Sequence, residues 1–455
     1  MKLADQNTTI ATDVTRQLAA YIVAAKPGDA SQAFRTEGVR TFFNYVAVAV
    51  GGAREEAVDI AVKALSPFFG KGEASLLGRS EKTDIMHAAL INGIASHVMD
   101  FDDTHLKTVI HPGGPVVSAI LALAERMPVS GPDFLNALLL GVDIECRIGN
   151  NVYPDHYDRG WHITGTTGSI GAAIAAGKLL GLSELQMQWA IGIACSQPVG
   201  LREMFGTMTK PFHPGKAAQN GLMSALLAQG GYTSSEQPLE AKRGWSNVLS
   251  TKQDYNEILG ELGVRNEVTL NSYKPFACGI VIHPVIDACV QLRNTHGVDA
   301  DQVAKVEALV HPLVLELTGK KTPRTGLEGK FSVYHSASVA LLYGAARDAQ
   351  YRDEVVSDPK VIALRDKVSA SVDPSMHEDQ CKVTVTLKDG SKKDLFIEHS
   401  IGSRDVPLTN GDLQDKYDAL VDPILPAGKA KALSDMCWDL ESLKDVGALA
   451  RASQV

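Results

Sequence analysis

Apolar residues recur at helical spacing through the first half of the chain, as in Val14, Leu18 and Ile22, and again in Phe134, Leu138 and Val142. Steps of three and four residues line one face of a 3.6-residue turn, so they predict amphipathic helices. The pattern runs from about Thr9 to Tyr232, rich in Ala and Leu and poor in β-branched alternation. Helix starts are marked too. Ser130-Gly-Pro-Asp precedes the Phe134–Leu140 segment, and Leu182-Ser183-Glu184 precedes a run ending near Ala194. A serine there can accept from the unpaired N–H groups of the first turn.

The period changes after about Arg265. Gln302 to His311 alternates well enough for a strand. Cys381 to Ile397 reads as a hairpin, with Val383, Val385 and Leu387 on one face and Lys388-Asp389-Gly390-Ser391 as the turn; Asp-Gly supplies the positive φ such turns require. Helices are predicted near Ile280–Arg293, Ser332–Ala346 and Pro359–Val368, and helix returns from about Gly411. The predicted fold is mainly α. A large all-α domain spans 1–265, a smaller α+β domain spans 266–405, and terminal helices over 406–455 pack back on the helical domain.

Composition narrows the partners. With 455 residues, 45% hydrophobic and 21% charged, the chain can bury a large core without disulfides or metals. A net charge of −9 argues against broad nucleic-acid binding, which needs clustered cations. No apolar run of ~20 residues exists, so no membrane span is predicted; Lys178 and several glycines interrupt the most apolar stretch, Ile163–Leu182. The N-terminus lacks the apolar core of a secretory signal. None of the six cysteines forms a Cys-x-x-Cys pair, which counts against a zinc ribbon or an iron–sulfur run and fits a reducing, cytoplasmic setting.

Several segments carry chemistry-bearing residues. Asp100-Phe-Asp102-Asp103-Thr-His105, followed by His111-Pro-Gly-Gly, closes a helix containing Asn92, Gly93 and His97. Carboxylates beside imidazoles can fix a tautomer and tune it near neutral pH, and a solvated helix end with aspartate caps fits the same letters. The spacing matches no dedicated metal motif. Trp161-His162 leads into glycines at 165, 168 and 171. A nucleotide loop would need a preceding strand, so closely packed helices explain the glycines better. His162 is then expected to be exposed at a helix N-terminus, where anions are favoured. Lys210 sits among Pro211, Pro214 and Gly215 ahead of an Ala-rich helix. Lys274, in Ser-Tyr-Lys-Pro-Phe-Ala-Cys-Gly, lies at the proposed domain junction, a common place for ligand sites. Cys278 reads as a buried thiol, and Tyr334 as a core tyrosine or a proton donor.

Taken together, NGIASHVMDFDDTH…HPGG, GWHITGTTGSIGAA, TKPFHPGKAAQNGL and YKPFACGIVIHP resemble the MmgE/PrpD family, from about residue 10 to beyond 400. The family includes 2-methylcitrate dehydratases, cis-aconitate decarboxylases and iminodisuccinate epimerases. The resemblance implies a homodimer with no cofactor and no metal, and an active site between the domains. It implies catalytic roles for Asp102, His111, His162, Lys210, Lys274 and Tyr334; Asp103, His105 and His213, from the same segments, are expected to contact substrate. Two departures stand out. Gly279 occupies a place where animal-type decarboxylases carry histidine, and DDTH…HPGG lacks the tryptophan of typical 2-methylcitrate dehydratases.

The implied chemistry suits these residue types. A carbanion beside a carboxylate loads extra charge onto its oxygens, and preplaced cations lower that barrier. Lys210 and Lys274 are expected in that role. His111 or His162 would move the proton, oriented by Asp102, and Tyr334 or the other histidine would supply an acid. The expected reaction is dehydration or decarboxylation of a small polycarboxylic acid, with epimerisation of an aminodicarboxylate or a non-catalytic relative as the alternatives.

Overall fold

The computed structural model describes residues 13–455. The predicted helix start at Thr9 and most of the N-terminal signal reading fall in residues 1–12, outside the described part. Among the described residues the architecture is mainly α, with helices throughout and only small sheets. No helix among them is long and apolar enough to cross a membrane.

Local signals act as predicted. Ser130 Oγ accepts from Asp133 N at 3.3 Å and opens the helix Gly131–Val152. Ser183 and Gln186 form a reciprocal capping box at the start of Glu184–Cys195. The α+β part holds a four-stranded sheet in the order Val368–Val372, Val303–Val310, Cys381–Leu387, Lys392–Ile397. The first pair is parallel and the others antiparallel. Cys381, Val383 and Val385 are its buried face, while Leu387 is only partly covered. The helix expected over Pro359–Val368 ends at Arg365, and Val368 opens a strand instead.

The terminal helices Asn410–Val421 and Ala427–Trp438 lie against the helix Gln32–Gly51. Phe43 makes the joint, with ring centroids 5.0 Å from Tyr417 and 4.1 Å from Trp438.

Glycines set the close approaches that position the site. The helices Ile85–His97 and Thr209–Gln229 touch at Gly93 and Gly215, where a Cβ on either would collide with the other's backbone. That crossing brings the end of one helix, His97, near the start of the other, Lys210. Gly165, Gly168 and Gly171 likewise press the helix Ile163–Leu179 against the Val199 backbone, Pro115 and Glu145.

A second small sheet ties the two halves of the chain. Asp103–His105 pairs antiparallel with Asn271–Tyr273, Asp103 opposite Tyr273. The residues just beyond that register are Asp102 on one strand and Lys274 on the other, which places them face to face.

Candidate active site

One buried cavity collects side chains from distant parts of the sequence. It is lined by Asp100, His111, His162, Lys210 and Lys274 on its polar side. Val109, Ile280, Val281, Leu317 and Phe331 form the apolar side. It encloses about 40 Å³ and shares Val109, Ile280 and Val281 with an adjoining cavity of about 390 Å³.

Asp100 is its electrostatic centre. Oδ2 accepts from Lys210 Nζ at 2.6 Å, and Oδ1 accepts from Lys274 Nζ. Burial would raise the carboxyl, but the two ammoniums hold it well below the usual carboxylate range. Burial and the neighbouring Lys274 push Lys210 down, against the pull of Asp100. Lys274 is raised, because Asp100 and Asp102 outweigh its burial. Asp100 has φ 52° and Val109 φ 53°, a region that costs a non-glycine residue energy and is costlier for a β-branched one. Both strained residues line the cavity, and such strain clusters at functional sites.

Four imidazoles lie together, each with Nδ1 engaged. His97 Nδ1 meets Asp102 Oδ2 at 2.5 Å. His111 Nδ1 meets the Asp103 carbonyl at 2.7 Å. His162 and His213 meet Nδ1 to Nδ1 at 2.8 Å. Burial pushes all four down, His111 to about 3 and His213 to about 4, so they are neutral near pH 7. A neutral His111 that donates Nδ1–H to a carbonyl presents Nε2 as a proton acceptor. Donor atoms of His97, His111 and His162 lie within 4.8 Å of one another, as do those of Asp100, Asp102 and His111. These are the groups a divalent ion would use, although the Lys210 and Lys274 ammoniums beside them oppose a further cation.

The structure rearranges several expectations. His162, expected exposed, is buried at 1%, because the loop at Gly200 and His213 covers it. Lys210 is inside the helix Thr209–Gln229 rather than in a loop before it; Pro211 fits because the first turn leaves its N–H groups unpaired anyway. Asp102 orients neither His111 nor His162 directly. It bonds His97, and His111 Nδ1 is 3.7 Å away. Asp103 and His105, expected to contact substrate, lie outside the cavity lining. Asp103 Oδ2 accepts from Gly113 N at 3.0 Å and Asn271 Nδ2 at 2.7 Å. His105 spends both ring nitrogens on Thr108 at 2.7 Å and Glu267 at 2.9 Å. His213 backs His162 and is not among the lining residues. Tyr334 lies in the first turn of the helix Val333–Tyr343 within the apolar core, outside the lining of the cavity. Burial pushes the Cys278 thiol up to about 12, which removes it as a nucleophile at neutral pH.

Two site residues are not singled out by the sequence. The motif points to the Asp102–Asp103 pair rather than to Asp100, and His97 reads only as part of its helix. Both fall in a motif-bearing segment, but three carboxylates in four positions look alike until the strand register separates them. Lys330 and Lys416, buried nearby, carry no local signal.

The MmgE/PrpD N-terminal domain matches residues 16–258, and the MmgE/PrpD C-terminal domain matches 276–441, which takes in two of the terminal helices. A cis-aconitate decarboxylase from Homo sapiens is 30% identical over 394 residues, covering 80% of this chain and 78% of that protein. One from Aspergillus terreus is 28% identical, covering 89% and 88%. A 2-methylcitrate dehydratase from Cupriavidus necator is 23% identical, covering 73% and 74%.

Proposed function

We propose that this chain, which belongs to the MmgE/PrpD family, is a lyase acting on a small polycarboxylic acid. The observation that carries the reading is the sharing of Asp100 by Lys210 and Lys274 beside the His111 and His162 imidazoles in one buried cavity. An incoming carboxylate competes with Asp100 for the two ammoniums. His111 Nε2 takes the proton from the carbon next to that carboxylate. The electron pair moves onto the carboxylate oxygens, where the ammoniums stabilise it. Dehydration follows when the pair returns to form the double bond and hydroxide leaves, protonated to water by an acid. In decarboxylation the C–C pair stays on carbon while carbon dioxide departs, and a proton drawn from solvent through the His111 imidazole is then delivered to that carbon.

The decarboxylase relatives match more of the chain at higher identity than the dehydratases do. This makes a cis-aconitate-like acid the first substrate to test, although Gly279 leaves the cavity without the histidine expected there. The apolar wall of Val109, Ile280 and Phe331 suits an unsaturated or alkyl carbon skeleton. The homodimer and the cytoplasmic setting belong to the same proposal, and light scattering on the purified protein tests the first of them.

Proton NMR of the protein in D₂O with cis-aconitate, 2-methylcitrate and iminodisuccinate tests the reaction. Loss of carbon dioxide or of water supports the lyase reading. Deuterium exchange without net loss points to the epimerase reading, and no change in any of the three contradicts both.

A further inference from the structure

Three consecutive carbonyls beside the site are each held by a buried ammonium. Lys330 Nζ donates to the Met99 carbonyl at 2.6 Å, Lys274 Nζ to that of Asp100 at 3.2 Å, and Lys416 Nζ to that of Phe101 at 2.6 Å. The three lysines come from separate places. Lys274 follows the strand Asn271–Tyr273, Lys330 precedes the helix Val333–Tyr343, and Lys416 lies within the terminal helix Asn410–Val421.

A buried ammonium must replace every hydrogen bond it gave to water. Lys416 does so fully. Its three N–H groups have three acceptors, the Phe101 carbonyl, Asn44 Oδ1 at 2.8 Å and the Lys274 carbonyl at 3.0 Å. The Phe101 ring lies 4.0 Å from the charge. Burial pulls this ammonium down to about 7 and Asp102 raises it, and three acceptors match the protonated form. Lys330 has Asp348 Oδ1 at 3.0 Å as its second acceptor.

The stretch these groups hold is the strained one. Asp100, at φ 52°, must present its two carboxylate oxygens to two ammoniums at once. An aspartate freed from its surroundings relaxes to negative φ, and that rotation would carry the carboxylate away from Lys210.

We propose that Lys330 and Lys416 are positioning residues, which clamp the carbonyls on either side of Asp100 and so keep its carboxylate between Lys210 and Lys274. Neither lines the cavity of His111 and His162, so both act through Asp100. Lys416 also grips the Lys274 carbonyl and thereby fixes both ends of the Asp100–Lys274 pair. The terminal helix, which carries none of the motif segments, thus reaches the site. The inference rests on reading that site as catalytic.

The test compares Lys330→Met and Lys416→Met with the parent protein by competitive acetylation with acetic anhydride and peptide mass spectrometry. Labelling of Lys210 is read against Lys178, a distant reference whose Nζ bonds the Ile22 and Val23 carbonyls at 2.9 and 2.8 Å. The expected result is a Lys210-to-Lys178 ratio raised by roughly 5-fold or more, with kcat lowered ~10-fold and KM changed far less. In an Asp100→Asn background the same substitutions cost under ~2-fold, since residues acting through one group are not additive. An unchanged labelling ratio, or losses that multiply in the Asp100→Asn background, overturns the proposal. If Lys416→Met does not fold, Lys330→Met carries the test alone; failure of both to fold shows that they serve folding and overturns it too. Labelling needs no substrate, so it fails or succeeds separately from the turnover assay that tests the lyase reading.

Discussion

Arg147 and Lys274 are both buried cations facing a buried aspartate, yet they stand in opposite kinds of surroundings. Arg147 Nε bonds Asp143 Oδ2 at 2.9 Å, and its other nitrogens reach the carbonyls of Ile258, Gly260, Glu261 and Arg265. The other oxygen of Asp143 accepts from Glu267 N at 2.7 Å. This pair is closed on itself and ties the segment 258–265 to the helix Gly131–Val152. Around Lys274, by contrast, one carboxylate is shared by two ammoniums, and His97 Nε2 and Asp102 Oδ1 have no hydrogen-bond partner. The backbone at Asp100 is strained, and a cavity adjoins it. A satisfied cluster holds the fold, whereas a cluster left open beside a cavity is arranged for a guest.

The sharpest way to break this contrast is to remove a group from each cluster. His111→Asn should lower kcat on the best substrate of the NMR panel by roughly 10²–10⁴-fold, the range for a lost general acid or base, with the melting temperature kept within a few degrees. Arg147→Met should do the reverse. It leaves Asp143 unpaired and should cost about 3–5 kcal/mol of folding stability in a urea titration, with kcat of the remaining folded protein within about 2-fold.

A smaller effect concerns pH. His111 acts as a base only when neutral, so activity falls as pH drops through its pKa. Burial, and the Lys274 charge after it, push that pKa down to about 3, against the pull of Asp102. Removing a neighbouring cation makes the imidazolium easier to form. Lys274→Met should therefore shift the acid limb of its residual kcat/KM profile to higher pH; an unmoved or lowered limb contradicts the placement of Lys274 beside His111. The smallest effect is expected at Tyr334, which lies outside the cavity lining. Tyr334→Phe should change kcat/KM by less than about 2-fold, and a large loss would restore it as a proton donor.

Much of this is legible in the amino-acid sequence alone. Hydrophobic spacing and serine caps locate the long helices, and the Asp-Gly turn locates the hairpin. Five residues named from motifs converge on the cavity or lie within one contact of it: His111, His162, Lys210 and Lys274 line it, and Asp102 reaches it through Lys274. What stays hidden depends on contacts between distant segments. Asp103–His105 and Asn271–Tyr273 are each three residues long, too short for alternation to mark a strand. Their register separates Asp100, which meets two lysines, from Asp103, which holds Gly113 and Asn271. Lys330 and Lys416 resemble surface lysines in sequence and are buried where they reach across the fold to the Met99 and Phe101 carbonyls.

The most direct measurement is turnover by Lys210→Ala, followed by NMR on whichever acid the parent protein consumes, with circular dichroism and melting temperature recorded on the same sample. The expected result is a folded protein whose turnover is lost by about 10³-fold or more, because removal of a preplaced charge leaves the developing anion unsupported. Turnover within about 2-fold of the parent protein would contradict the claim that the ammoniums around Asp100 carry the chemistry.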